Sequence, residues 1–104
     1  MHTVITLEDG TERYLEDSSF IIGSSKDVSD FVIEESTVSR RHARVSLSSD
    51  GLEVEDLGSD NGVWIVSIDG SQFTPYLLRG TLRCCKCLLL LGAAKIQLSR
   101  ERLT

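Results

Sequence analysis

The stretch that most constrains how this chain can fold is residues 38–62, near its middle. Two segments in which apolar and polar residues alternate, 43–47 and 52–56, are joined by a polar turn that ends in Asp50-Gly51. Alternation on both sides of an Asp-Gly turn is typical of an antiparallel β-hairpin. Two polar clusters, 39–42 (Ser-Arg-Arg-His) and 59–62 (Ser-Asp-Asn-Gly), flank these segments. Because a hairpin brings both clusters to the same edge, we expect them to form a site.

The same alternation continues through most of the chain and predicts an all-β fold. About ten short apolar segments are separated by turns rich in Gly, Asp and Ser, and no segment keeps a helical period. This pattern predicts a two-sheet antiparallel β-sandwich. A length of 104 residues suits one domain, which we expect to span residues 1–104, with 99–104 as a frayed tail or a helical turn.

The strand pattern also predicts one loop and the last strands of the chain. Pro75 is the only proline, and it predicts a loop because proline cannot donate a hydrogen bond to a sheet. Residues 82–91, rich in leucine and cysteine, read as one continuous strand, and residues 95–98 read as the last strand.

The charge and the hydropathy pattern exclude several classes of function. A net charge of −5 and a pI near 4.9 argue against general nucleic-acid binding, which relies on a basic surface. The longest apolar run, residues 88–91, is far too short to cross a bilayer, so we expect no direct membrane contact from this domain. The N-terminus shows no signal-peptide pattern. We therefore expect a cytoplasmic location, either free or as part of a membrane-anchored protein.

The three cysteines, Cys84, Cys85 and Cys87, read as structural or incidental thiols. An odd number packed into four positions is a poor disulfide framework, which weakly favours a reducing compartment. Structural zinc usually takes four ligands in spaced pairs, and this chain offers no such pattern. We therefore expect no metal and no cofactor.

The polar clusters permit an enzymatic and a binding interpretation, of which binding is favoured. Ser39, His42 and Asp56 are the residue types of a hydrolytic triad, but the chain has no G-x-S-x-G elbow and no evident oxyanion hole. Serine hydroxyls, loop N–H groups and an arginine such as Arg40 are the groups that hold a phosphate dianion. The amide of Asn61 can both donate to and accept from an extended peptide. Arg41 and Arg44 are interpreted as plain surface charge.

Together with Gly23, the runs at residues 39–42 and 56–62 give the chain a pattern that resembles the forkhead-associated (FHA) domain. The resemblance implies an eleven-stranded β-sandwich that binds phosphothreonine peptides through loops at one end. It implies further roles for individual residues: Ser39 contacts phosphate, Arg40 flanks it, Asn61 holds the peptide main chain, and Gly23, His42, Ser59 and Gly62 support the loops.

Four positions depart from the family pattern. Ser24 stands where the family usually has an arginine that is a principal phosphate contact, and Asp60 places an acid where phosphate approaches. Val63 replaces a usual threonine, and the late Gly-Asp turn is altered to Gly80-Thr81. Lys26 can substitute only in part for the missing arginine, because it is a point charge on a flexible stem. The resemblance with these departures implies phosphothreonine recognition that is weakened or lost.

Two functional hypotheses from different classes follow. One is a regulatory reader that binds a phosphothreonine peptide of a partner protein through Ser39, Arg40 and Asn61. The other is a structural assembly domain that binds its protein partner independently of phosphorylation, as the resemblance implies for the degenerate FHA-like domains of bacterial type III secretion inner-membrane rings. A small hydrolase using Ser39 and His42 is a remote third.

Overall fold

The computed structural model describes residues 1–102, and Leu103 and Thr104 lie outside the described residues. Within residues 1–102 the regular structure consists of eleven β-strands and no helix. Their bounds are β1 His2–Leu7, β2 Glu12–Leu15, β3 Ser19–Gly23, β4 Phe31–Val32, β5 Ala43–Ser48, β6 Gly51–Asp56, β7 Val63–Ile68, β8 Ser71–Leu77, β9 Thr81–Cys84, β10 Lys86–Leu91 and β11 Ala94–Glu101. No helix that could span a membrane is found in the part of the chain that the structure describes.

The strands form two sheets that pack face to face, which confirms the predicted β-sandwich. The six-stranded sheet has the order β2-β1-β11-β10-β7-β8, and the five-stranded sheet has the order β4-β3-β5-β6-β9. Neighbouring strands are antiparallel except β3 and β4, which pair in parallel. The central hairpin is β5–β6, in which Ala43 lies opposite Asp56 and Ser48 opposite Gly51.

The core lies between the sheets and is built from the inward side chains of the alternating pattern. In the central hairpin, Val45 and Val54 are cross-strand partners and both are fully buried. The largest buried side chains come from both sheets: Phe20, Ile22, Leu52, Ile5, Ile65, Leu89, Leu91, Ile96 and Leu98. Burying one such side chain stabilises the fold by about 1.5–3 kcal/mol. This common core fixes where the loops at the end of the sandwich emerge.

The prediction of a loop around Pro75 is wrong, because Pro75 lies inside β8. β8 is an edge strand of the six-stranded sheet, where a missing N–H removes no ladder bond on the open side. The pairing with β7 also shifts register between Ile65 and Ser67, opposite the proline. The edge position and this irregularity together accommodate the ring.

The single strand predicted for residues 82–91 is also wrong, because the chain changes sheets at Cys85. β9 belongs to the five-stranded sheet and β10 to the six-stranded one. The carboxylate of Asp69 accepts the backbone N–H groups of Cys85 and Lys86, each at 2.9 Å, and so holds the crossing point. Asp69 lies 16 residues before Cys85, so the local alternation of residues 82–91 does not reveal that the strand is interrupted there.

The last strand is longer than predicted. β11 extends to Glu101, which pairs with His2 of β1, so residues 99–101 are strand rather than a frayed tail or a helical turn. Side-chain bonds continue to that end, where the Ser99 hydroxyl donates to Glu101 Oε2 at 2.8 Å. The rest of the tail interpretation concerns Leu103 and Thr104, which are outside the described residues, and Arg102, which follows the strand.

All three cysteines are free thiols. Cys84 and Cys87 are buried on β9 and β10, whereas Cys85 is exposed. The pKa of the Cys87 thiol is far above its ordinary value of 9.0. The main cause is a hydrogen bond with Cys84, and the second is burial. The same hydrogen bond lowers the pKa of Cys84. When the pair ionises, Cys84 therefore loses its proton first and Cys87 keeps its own.

This thiol pair predicts that the folded chain loses stability in alkali. Below pH 9.0 the Cys87 thiol is protonated in the folded and the unfolded chain, so its contribution is fully present. Above that pH only the unfolded chain releases the proton, and the free energy of unfolding should fall by about 1.4 kcal/mol per pH unit. Urea unfolding under reducing conditions, repeated between pH 8 and pH 10.5, measures the slope (roughly 1.4 kcal/mol per unit if the thiol governs it).

The matched comparison is the double variant Cys84→Ala with Cys87→Ala, which removes both buried thiols. Its alkaline slope should be shallower than that of the unmodified chain, whereas Cys85→Ala should leave the slope unchanged because that thiol is exposed. Equal slopes in all three proteins would contradict the assignment.

Candidate functional site

The two polar clusters that flank the central hairpin meet at one end of the sandwich. His42 N–H donates to the Ile22 carbonyl at 2.8 Å, and Leu57 N–H donates to the His42 carbonyl at 3.0 Å. The loop that follows β3 joins them, because Ser24 N–H donates to the Ser39 carbonyl at 3.0 Å. Three loops, after β3, before β5 and after β6, are thereby held together by backbone bonds.

His42 is completely buried beneath these loops and links two of them. Its Nδ1 accepts the Ser39 N–H at 3.0 Å, and its Nε2 donates to the Gly62 carbonyl at 2.7 Å. A backbone N–H can only donate and a carbonyl can only accept, so the ring is the neutral tautomer with its proton on Nε2. The imidazole thus sets the distance between the Ser39 loop and the Gly62 loop.

The neighbouring loop orients the Ser39 hydroxyl. Its Oγ accepts the Asp60 N–H at 3.0 Å, and the side chain is half-buried. With a lone pair of Oγ occupied by that N–H, the hydroxyl proton points elsewhere and remains available to an incoming acceptor. This is the arrangement required to donate to a phosphate oxygen.

Ser59 holds the loop between β6 and β7 in its turn. Its hydroxyl donates to Asp56 Oδ1 at 2.5 Å and accepts the Gly62 N–H at 2.9 Å. Gly62 has a φ of 79°, which favours glycine, and a Cβ there would lie 2.5 Å from Leu77 Cδ1. Both residues therefore shape the segment that carries Asn61.

Asn61 is exposed at the tip of this segment and is held by a residue that the sequence did not single out. Its amide nitrogen donates to the Thr37 carbonyl at 2.8 Å. The Thr37 hydroxyl accepts the Ala93 N–H at 2.7 Å and donates to Glu35 Oε1 at 3.3 Å. Thr37 therefore joins three loops, and its partner Ala93 is 56 residues away, which no local pattern indicates.

Gly23 lies at the end of β3, where another backbone passes too close for a side chain. A Cβ at this position would collide with the Arg40 carbonyl oxygen and with Ser29 Oγ. Ser29 Oγ also donates to the Arg40 carbonyl at 2.5 Å, a support that sequence reasoning missed. Close approach, rather than an unusual φ, is what requires glycine here.

Most of the candidate ligand residues line an open groove between these loops, but Asn61 is not part of its lining. Four of the predicted residues, Ser24, Ser39, Arg40 and Asp60, lie in its walls. The remaining lining residues are Val28, Ser36, Val38, Arg41 and Gly58. Lys26 lines an adjoining groove that shares Ser24 and Arg40 with this one. We call the first of these the Ser39 groove.

The two arginines interpreted as surface charge differ in their surroundings. Arg41 lines the Ser39 groove beside Arg40, so the sequence interpretation missed its position. Arg44 instead pairs with Glu55 across β5 and β6, with Nη1 and Oε1 2.9 Å apart. The groove therefore has two exposed guanidinium groups and the carboxylate of Asp60.

The residues of the hydrolase interpretation do not form a catalytic triad. Both ring nitrogens of His42 are bonded to backbone groups, and the Ser39 hydroxyl is bonded to the Asp60 N–H. Asp56 bonds to Ser59 rather than to the imidazole. A general base must reach the proton of its nucleophile, and this histidine does not.

Comparison with known families identifies the class of protein that this fold and site define. Residues 20–81 match the family model described as FHA domain. The match covers more than half of the chain, and it includes the polar clusters on both sides of the central hairpin. The chain therefore belongs to the FHA domain family. Members of this family are generally interaction modules rather than enzymes. A search among curated proteins gave no match.

Solved structures share the fold. The FHA domain of the CT664 protein from Chlamydia trachomatis aligns with a TM-score of 0.72 at 24% identity, covering 98% of this chain and 100% of that one. Mycobacterium tuberculosis EmbR, solved with a low-affinity phosphopeptide, aligns with a TM-score of 0.80 at 19% identity. The alignment covers 99% of this chain but only 25% of EmbR. The FhaA FHA domain, complexed with the intracellular domain of Rv3910, gives 0.65 at 24% identity with coverages of 92% and 98%.

The buried ring of His42 predicts a large loss of stability in the His42→Ala variant. The change leaves the Ser39 N–H and the Gly62 carbonyl without partners and opens a cavity, which together should cost about 2–4 kcal/mol of unfolding free energy. Thermal and urea unfolding measure the loss. Arg41→Ala, an exposed neighbour, is the control and should change stability by under about 0.5 kcal/mol. Equal melting of the two variants would show that the imidazole does not hold the loops.

Proposed function

We propose that this chain is a non-enzymatic protein-interaction module whose recognition of phosphothreonine peptides is weakened or lost. Residues 1–104 would act as one FHA domain, with its protein partner meeting the loops around the Ser39 groove. The free thiols fit a reducing compartment, and we place the module in the cytoplasm.

The observation that carries this proposal is the position of Ser24. Its N–H donates to the Ser39 carbonyl at 3.0 Å, and both residues line the same groove. A side chain at position 24 therefore faces any anion that the Ser39 hydroxyl contacts. Serine can offer that anion one neutral hydrogen bond, whereas the arginine usual in the family offers a planar, charged fork.

The rest of the groove keeps groups that suit a phosphorylated peptide. The Ser39 hydroxyl has its proton free, Arg40 and Arg41 supply positive charge, and Asn61 stands at the tip of the next loop. Asp60 opposes them with a carboxylate in the same groove. A charge-assisted hydrogen bond contributes about 1.5–3 kcal/mol, so the loss of one weakens binding roughly tenfold to a hundredfold.

Structural relatives support a protein partner. EmbR was solved with a phosphopeptide and the FhaA domain with a protein domain, so both types of ligand occur on this fold. The alternative function is a phosphorylation-independent assembly domain, for example in a type III secretion ring. Ser24 and Asp60 favour it, because both lower the affinity of the groove for a dianion.

The proposal predicts that restoring the arginine restores binding. Ser24→Arg should strengthen binding of a phosphothreonine peptide by about 1.5–3 kcal/mol, or tenfold to a hundredfold. The double variant Ser24→Arg with Asp60→Thr should gain more than either change alone, because Asp60 then cannot capture the new guanidinium. Fluorescence anisotropy at about 0.15 M salt, with each peptide and its unphosphorylated twin, measures the effect.

The matched control is Ser49→Arg, which adds the same charge at the far turn of the central hairpin. A comparable gain in that variant would mean that net charge, and not the groove, governs binding. Tight binding by the unmodified chain would refute the weakened site. If the variants that carry Ser24→Arg bind no phosphopeptide, the phosphorylation-independent assembly function is favoured over phosphothreonine recognition.

A further inference from the structure

A second concave surface lies at the same end of the sandwich, between the end of β1 and the start of β11 in one sheet and the segment that follows β4 in the other. Leu7 of β1 and Ile96 of β11 are cross-strand partners in the six-stranded sheet, and Ile33 follows β4 of the five-stranded sheet. With Ala94 they form an apolar floor. Ile96 and Ala94 are buried, while Leu7 and Ile33 are half-buried and pack against the core. The accessible part of the floor is therefore aliphatic and comes mainly from Leu7 and Ile33.

Carboxylates surround this floor. Glu8 and Asp9 stand on one side and Glu34 and Glu35 on the other, with Lys95 as the one cation in the lining. We call this surface the acid-rimmed groove. Within residues 1–102, none of the four acids has a cationic side chain within 4.0 Å. Hydrogen bonds from Thr11 lower the pKa of Asp9 below its ordinary value of 3.8.

We propose that the acid-rimmed groove docks a segment of a partner protein in which an aliphatic side chain stands between lysine or arginine residues. The aliphatic side chain would cover the accessible parts of Leu7 and Ile33, and the flanking cations would meet the rim carboxylates. The excess of acids over Lys95 selects a basic rather than an acidic segment. The net charge of −5 for the whole chain steers such a segment towards the domain.

This docking does not depend on phosphate. Its lining shares no residue with the Ser39 groove, although Glu34 and Glu35 also line the intermediate groove that contains Lys26 and Arg40. A single partner chain can therefore contact both surfaces. Failure of phosphopeptide binding would leave this proposal unaffected, because its test uses unphosphorylated peptides.

The test titrates the ¹⁵N-labelled chain with short capped peptides and follows backbone amide shifts by NMR. The probe contains Lys-Leu-Lys between glycines, and the two comparison peptides contain Lys-Ser-Lys and Glu-Leu-Glu. We expect Lys-Leu-Lys to shift the amides of Glu8, Glu34 and Lys95 in a saturable manner, with Lys-Ser-Lys at least about fivefold weaker because it lacks the apolar contact. Glu-Leu-Glu should produce no shift there.

Charge-neutralising variants separate the groove from the overall acidity. Glu8→Gln with Glu34→Gln should weaken Lys-Leu-Lys binding by about fivefold, the scale of two exposed ion pairs. Asp17→Asn with Asp50→Asn removes the same charge from exposed positions outside the groove and should leave the affinity within about twofold. Equal binding of Lys-Ser-Lys, equal losses in both double variants, or shifts confined to other residues would each overturn the proposal.

Discussion

The buried imidazole of His42 is the contact on which the end of the sandwich that carries the Ser39 groove depends. It joins the Ser39 N–H to the Gly62 carbonyl, so one side chain links a loop 3 residues before it to a loop 20 residues after it. Both bonds end on backbone groups in a site without water access, where an unpaired polar group is costly. The strands position the two loops approximately, and the His42 ring then sets the distance between them.

The β5–β6 hairpin could be predicted from the sequence because its signals are local. Alternation and an Asp-Gly turn specify a hairpin, and the hairpin in turn requires the Ser39 and Asn61 loops to emerge together. The resemblance to FHA domains added the role of Gly23, whose reason is visible only in three dimensions. The Arg40 carbonyl and Ser29 Oγ occupy the space of its missing side chain.

Other features escaped prediction because they rest on distant contacts. Thr37 joins Asn61 to Ala93, and Asp69 determines where the chain crosses between sheets at Cys85. Pro75 was misassigned for a different reason: its cost depends on whether a strand is central or at an edge, and sheet order is a global property. Local patterns therefore identify strands better than they identify sheet boundaries or loop braces.

The frame of the site and its charge are determined by different residues, so one can change without the other. His42 and Ser59 hold the loops through bonds to backbone groups of residues 39 and 62, and these bonds make no demand on the side chains that face the groove. Ser24 and Asp60 present their side chains to the groove while bonding neighbours only through their backbone N–H groups. Substitution there changes the charge of the groove at little cost to folding. A chain can thus keep every structural mark of an FHA domain while its groove loses phosphate, and family membership alone does not determine the ligand.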